Sequence, residues 1–197
     1  MKWSDITIEQ FNNIERIFKE NGDKSTKPLI EYFFNIEDAN KIPIIEFNKY
    51  LSELSFLNDT IEKEKTISKK YIINNKKYEL KWDLMEFTTA QYIDFMNYVS
   101  DGKGFEYTLS TLFIPKGKKY NEGYNMEETI NDIKTLSITT AYSIYNYFFQ
   151  LFPRFIKTFH YYLMKDMKKA KKMAKKMENK EVAEKIMKMI EQLEKMI

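Results

Sequence analysis

Apolar positions in the first third of the chain recur at helical rather than strand spacing. Phe11, Ile14, Ile17 and Phe18 fall on one face of a helix. Thr7 marks its start: the hydroxyl can accept a free backbone N–H, Gln10 three residues on can reach back in a capping box, and Ile6 and Phe11 fit the flanking hydrophobic staple. Gly22 supplies the stop, since glycine tolerates the left-handed conformation that closes a helix. A second helix is predicted from near Pro28, with Leu29, Tyr32, Phe33 and Ile36 inward. A third is predicted from near Pro43, because proline at a first helical position forfeits no hydrogen bond, and its inward face is Phe47, Tyr50, Leu51 and Leu54.

The period then changes. In "KTISKKYIINNKKYELKW", Tyr71 and Ile73 flank Ile72, and Tyr78, Leu80 and Trp82 alternate with charged residues. Asn74 and Asn75 tolerate the positive φ of a tight turn, which makes residues 69–82 a β-hairpin. Phe87, Thr88, Gln91, Tyr92 and Phe95 next repeat the spacing seen at the first helix, a repeat that shared capping chemistry explains better than duplication. A loop "SDGKGFEY", a short buried element "TLSTLFI" and a loop "PKGKKYNEGYN" follow. Helix resumes over "MEETINDIKTL" on Met126, Ile130 and Ile133.

A long helical region is predicted from about Ser137, with Pro153 able to kink it. Between Tyr142 and Tyr162, ten of 21 residues are Tyr or Phe, so aromatic side chains occupy every side of that helix and need burial or a partner. Leu163, Met167, Ala170, Ala174 and Met177 then step at coiled-coil spacing, as do Val182, Ile186, Met189, Leu193 and Met196 after the break at "ENKE". One long helix and a helical hairpin turning near Asn179 both fit. The expected fold is thus mainly α: a helical domain over residues 1–136 with one small hairpin near 69–82, then a long aromatic and Lys/Met-rich helical extension over 137–197.

Composition narrows the function classes. With 43% hydrophobic and 31% charged residues in 197, the chain can bury a core. No apolar run approaches a membrane span and no signal sequence opens the chain. The absence of cysteine removes disulfides, thiolate ligands and cysteine nucleophiles. Arg16 and Arg154 are the only arginines beside 30 lysines, which disfavours sequence-specific reading of nucleic acid, since lysine lacks the bidentate fork that recognises guanine.

Candidate chemistry is sparse. His160 stands alone among Phe159, Tyr161 and Tyr162, without the convergent partners of a general base or metal ligand. Glu62 with Glu64, and Glu127 with Glu128, read as solvated or helix-terminal charges. No phosphate-cradling glycine motif is present. The expectation is therefore no catalytic residue, no metal site, no cofactor and no enzymatic activity.

Charge is uneven. Residues 161–197 carry 11 lysines and six acids, whereas residues 1–160 carry 21 basic residues and 23 acids. Lys168, Lys169, Lys171, Lys172, Lys175 and Lys176 are candidates for phosphate contact, although a solvated lysine face on a partner-binding helix weighs more. The partner-binding candidates are Phe148, Phe152, Phe155, Phe159, Met167, Met177, Ile186 and Leu193, which would pack against another copy or another protein.

The opening "WSDITIEQFNNI", the hairpin "YIINNKKYEL" leading to "EFTTAQYIDF", and "LSTLFIPKGKKYNEGY" before an aromatic helix together resemble structural-module proteins of crAss-like bacteriophages, of the internal virion or cargo type. The similarity covers roughly residues 3–150 in arrangement and includes no catalytic signature. The same order is loosely similar to phage tail-assembly chaperones. The resemblance implies a virion structural or cargo protein whose partners are portal, tail or capsid components. It would be found in the virion, and in the host cytoplasm during assembly. Alternatives are a tail-assembly chaperone and, from another class, a non-specific DNA-binding protein.

Overall fold

A computed structural model describes the backbone of residues 1–174 with 180, 187 and 188, and their side chains except at 23, 85 and 152–167. The chain is mainly helical with a small antiparallel sheet. The order is α1 (Ile8–Asn21), α2 (Thr26–Phe34), α3 (Ile44–Glu53), β1 (Lys70–Ile73), β2 (Lys76–Leu80), α4 (Thr89–Ser100), α5 (Phe105–Leu112), β3 (Phe113–Pro115), α6 (Met126–Lys134) and α7 (Ile138–Ala174). The chain divides into two compact units, Met1–Tyr147 and Phe148–Ile197.

Helix starts follow local side-chain chemistry. The Gln10 N–H donates to Thr7 Oγ1 at 3.2 Å and the Thr7 N–H donates to Gln10 Oε1 at 2.9 Å, completing the expected capping box. Gly22 closes α1 with φ +53°. Thr88 likewise accepts from the Gln91 N–H at 3.1 Å, but here the box stays open. The Gln91 side chain is buried and donates instead to the Thr111 carbonyl of α5 at 2.7 Å. A tertiary hydrogen bond to a buried carbonyl thus replaces the local reciprocal one.

In the first unit the core centres on α5, where Leu109 and Leu112 are fully buried and where Ser110 and Thr111 bond back to the carbonyls of Tyr107 and Thr108 at 2.7 Å. Ile8, Ile14, Ile30, Phe95, Phe113 and Ile133 complete the core from the surrounding elements. Of the α1 face, Ile14 and Ile17 are buried, whereas Phe18 is exposed. In α2 the buried pair is Leu29 and Ile30. Tyr32 is exposed, and Ile36 lies beyond the helix, which Asn35 ends in the left-handed conformation. Asn74 and Asn75, at φ +48° and +62°, turn β1 into β2 as the sequence predicts. The sheet also gains β3, which pairs antiparallel with β2 through Tyr78↔Pro115, Glu79↔Ile114 and Leu80↔Phe113.

The first unit runs to Tyr147, whereas the sequence reading ends it at 136. The Ile8 N–H donates to the Leu136 carbonyl at 2.9 Å and the Ile138 N–H to the Ile6 carbonyl at 2.7 Å, so the α6–α7 connection pairs with the start of the chain. Ile138, Ala141 and Ile144 are buried in consequence. In the second unit α7 continues to Ala174, with Pro153 inside the helix.

Candidate interaction surface

Catalysis would require a cluster of polar side chains. Asp132 of α6 is buried and gathers three donors from the hairpin: Asn74 Nδ2 at 3.0 Å, Lys76 Nζ at 2.9 Å and the Tyr78 hydroxyl at 2.6 Å. Lys76 also pairs with Glu128 at 2.5 Å. Burial raises the Asp132 pKa, but the hydrogen bonds from Tyr78, Asn74 and Lys76 outweigh it and hold the carboxyl below its ordinary value. Hydrogen bonds to Glu128 and Asp132 hold the Lys76 ammonium protonated, and burial with the bond to Asp132 pushes the Tyr78 phenol up to about 12. Asp132, Lys76 and Tyr78 are each shifted further toward the charge state they hold at neutral pH. Through Asp132 the three hydrogen bonds clasp the hairpin to α6.

Tyr120 behaves alike: its hydroxyl donates to Asp94 Oδ2 at 2.8 Å, and burial and that bond push its pKa upward. Glu106 is buried at the start of α5 and accepts from Asn12 Nδ2 at 3.2 Å on both oxygens. Among the described residues no buried side-chain nitrogen or oxygen lacks a partner, and no cluster of three or more metal-binding side chains is placed to hold an ion.

The apolar surface is a different matter. No residue of α3 is buried: Ile44 is 69% exposed, Ile45 82% and Leu51 44%, while Phe47 and Tyr50 are half-buried. Of the inward face predicted for this helix only Leu54, just past its end, is buried. The helix is held by few contacts, chiefly Tyr50 stacked on Phe34 with ring centroids 4.1 Å apart. Beside it lies a groove of about 810 Å³, lined among the described residues by Phe18, Leu29, Leu51, Leu54 and Leu57 with neutral Asn, Ser, Thr and Gly residues. Phe56 closes the neighbouring turn against Trp3 and Phe33, at 5.2 and 6.3 Å between centroids. An apolar floor with a neutral polar rim is a composition that both protein interfaces and small-molecule sites share.

Of the residues singled out from sequence, Phe148 is buried and its ring lies 6.5 Å from that of Phe149. Phe152, Phe155, Phe159 and Met167 are in α7, and their side chains, like that of His160, lie outside the described residues. Met177, Ile186, Leu193, Lys175 and Lys176 lie outside them altogether. Lys168, Lys169 and Lys172 are exposed and Lys171 is half-buried. Sequence reasoning missed the groove and the exposure of α3, because the pattern Phe47, Tyr50, Leu51, Leu54 announces an apolar stripe without showing what covers it. No described helix is long and apolar enough to cross a membrane. No family model, curated protein sequence or solved structure matches the chain.

Proposed function

We propose that the chain is a bacteriophage structural or cargo protein of the internal virion type, acting by protein–protein contact and without catalysis. Portal, tail or capsid components are its partners, and α3 with the adjoining groove is one contact surface. The observation that carries the contact role is the exposure of Ile44, Ile45 and Leu51 on a helix with no buried residue, next to a groove whose described lining is apolar and neutral. Large apolar side chains left in water on one short helix are unfavourable, and such exposure is a feature of interaction sites. The viral assignment rests on the sequence resemblance.

Mass spectrometry of purified particles of the encoding phage tests it. Abundant peptides in mature particles are the expected result. Strong expression with no peptides in the particle would overturn the virion assignment in favour of an assembly chaperone. A second reading, non-specific DNA contact, draws support from the exposed Lys168, Lys169 and Lys172 on one helix.

A further inference from the structure

The lysines of the first unit are concentrated on its sheet. Residues 1–147 hold 19 basic and 23 acidic residues. Segments 68–81 and 115–119, which contain the hairpin and the end of β3, hold eight lysines against one acid, Glu79, whereas the rest of the unit holds 11 basic and 22 acidic residues. The unit is acidic, and by strand alternation Lys70, Lys77 and Lys116 share one face of its sheet while Lys69 and Lys76 lie on the other.

Register places two of these lysines against each other. The Lys116 N–H donates to the Lys77 carbonyl at 2.8 Å, continuing the β2–β3 ladder, so Lys77 and Lys116 are cross-strand neighbours. Directly opposed residues have Cβ atoms about 5 Å apart, and like charges there are destabilising. Both are exposed, and neither forms an ion pair among the described residues. Ile72, opposite Lys77 on β1, is 72% exposed, and exposed Lys70, Lys118 and Lys119 flank the row. Glu79 opposes Lys70 on the neighbouring strand.

A structural role does not account for this pair. Lys76 shows what a structural lysine in this sheet looks like, with two carboxylates at 2.5 and 2.9 Å. Lysines that blunt a free sheet edge belong on edge strands, which fits Lys70 on β1, but Lys77 is on the central strand of the order β1-β2-β3. Two exposed cross-strand lysines on one face form a site that an external polyanion can neutralise.

We propose that this sheet face docks the phosphate backbone of a nucleic acid, centred on Lys77 and Lys116 and flanked by Lys70, Lys118 and Lys119. A phosphate chain carries one charge per nucleotide and can neutralise both opposed ammonium groups at once. The surrounding acidic surface repels it elsewhere and so orients it. Neither arginine nor an exposed aromatic ring is part of the face, so binding is independent of base sequence. The inference is independent of the α3 groove, and either can fail without the other.

The test is titration of a short random-sequence DNA duplex with the full chain, as wild type, as K77S/K116S and as K168S/K169S/K172S, at several salt concentrations. The slope of log affinity against log salt should fall in magnitude by about 2 in K77S/K116S, about 0.9 for each phosphate no longer neutralised. The C-terminal triple variant should retain that increment. In the absence of DNA, K77S/K116S should melt no lower than wild type, which shows that the fold is intact. DNA should raise the melting temperature of wild type more than that of K77S/K116S. An unchanged slope in K77S/K116S, or loss of all DNA affinity in the C-terminal variant, would overturn the proposal. So would polyglutamate or anionic lipid vesicles binding the wild-type face as tightly as DNA does.

Discussion

The Tyr78 hydroxyl donates to Asp132 Oδ2 at 2.6 Å, a buried bond between residues 54 positions apart that fastens the central strand to α6. With Asn74 and Lys76 on the same carboxylate, the hairpin is held through one acid. D132A removes it and leaves buried donors unpaired, so unfolding free energy should drop by about 2–3 kcal/mol. K76A, whose side chain is half in water, should cost less than about 1 kcal/mol. Urea melts compare the two, and equal losses would mean that the clasp does not centre on Asp132.

The same pair sets two limits on pH. Asp132 titrates below its ordinary value, so its contribution is complete above about pH 3.9, the unfolded value, and is lost as pH falls through the folded one. The Tyr78 phenol is pushed up to about 12 by burial and then by Asp132, so its contribution is complete below about pH 10 and is lost as pH rises toward 12. Y78F should therefore show a shallower loss of melting temperature than wild type across that alkaline range. Parallel alkaline limbs would remove Tyr78 from the account.

Capping offers an internal contrast. T7A and T88A should each cost about 1 kcal/mol. The two glutamines should differ: Q10A loses a half-exposed reciprocal bond, whereas Q91A strands the buried Thr111 carbonyl and opens a cavity. Q91A should cost about 1–3 kcal/mol and Q10A less. Chemical denaturation of the four variants decides, and similar losses for Q10A and Q91A would count against the buried Gln91 bond.

That contrast also marks how far the sequence could be read. Thr7 with Gln10, Gly22 after α1, and Asn74-Asn75 between two alternating runs are signals in which a side chain acts on backbone within a few positions, and each is found in the fold. Gln91 bears the same signature as Gln10, yet its partner lies 20 residues away. The Asp132 clasp and the Lys77–Lys116 pair join residues whose proximity exists only after β2 has paired with β3 and packed on α6. Their residue types carry no warning, since an Asp in "INDIK" and a Lys in "IPKGK" read equally well as solvated charges. Likewise, α3 has ordinary amphipathic spacing, and only the packing shows that its apolar side is left open.

The turn separates two roles for asparagine. Both Asn74 and Asn75 have positive φ, which glycine adopts without strain. N75G should be neutral or stabilising, since the Asn75 side chain is exposed to solvent. N74G should destabilise by about 1–2 kcal/mol despite the easier backbone, because Asn74 Nδ2 donates to Asp132 at 3.0 Å. Thermal melts of the two glycine variants distinguish the roles, and equal melting temperatures would show that the Asn74 side chain adds nothing.

Ile45 and Leu51 test the contact surface on α3. A core isoleucine or leucine cut to a small residue costs about 2–5 kcal/mol, whereas an exposed one away from special features changes stability by about 0.5 kcal/mol or less. At 82% and 44% exposure, I45S should leave stability unchanged, and L51S, on the groove wall, should cost little more. If the groove and α3 bind a portal, tail or capsid component, I45S/L51S should lose cross-links from α3 to that component within assembled particles, at unchanged expression and melting temperature. If this apolar area also drives self-association of the isolated chain, the serine variant should sediment as a smaller species than wild type at high concentration. A melting temperature lowered by the equivalent of several kcal/mol would place α3 in a core. Undiminished cross-linking in a stable variant would move the contact surface elsewhere on the protein.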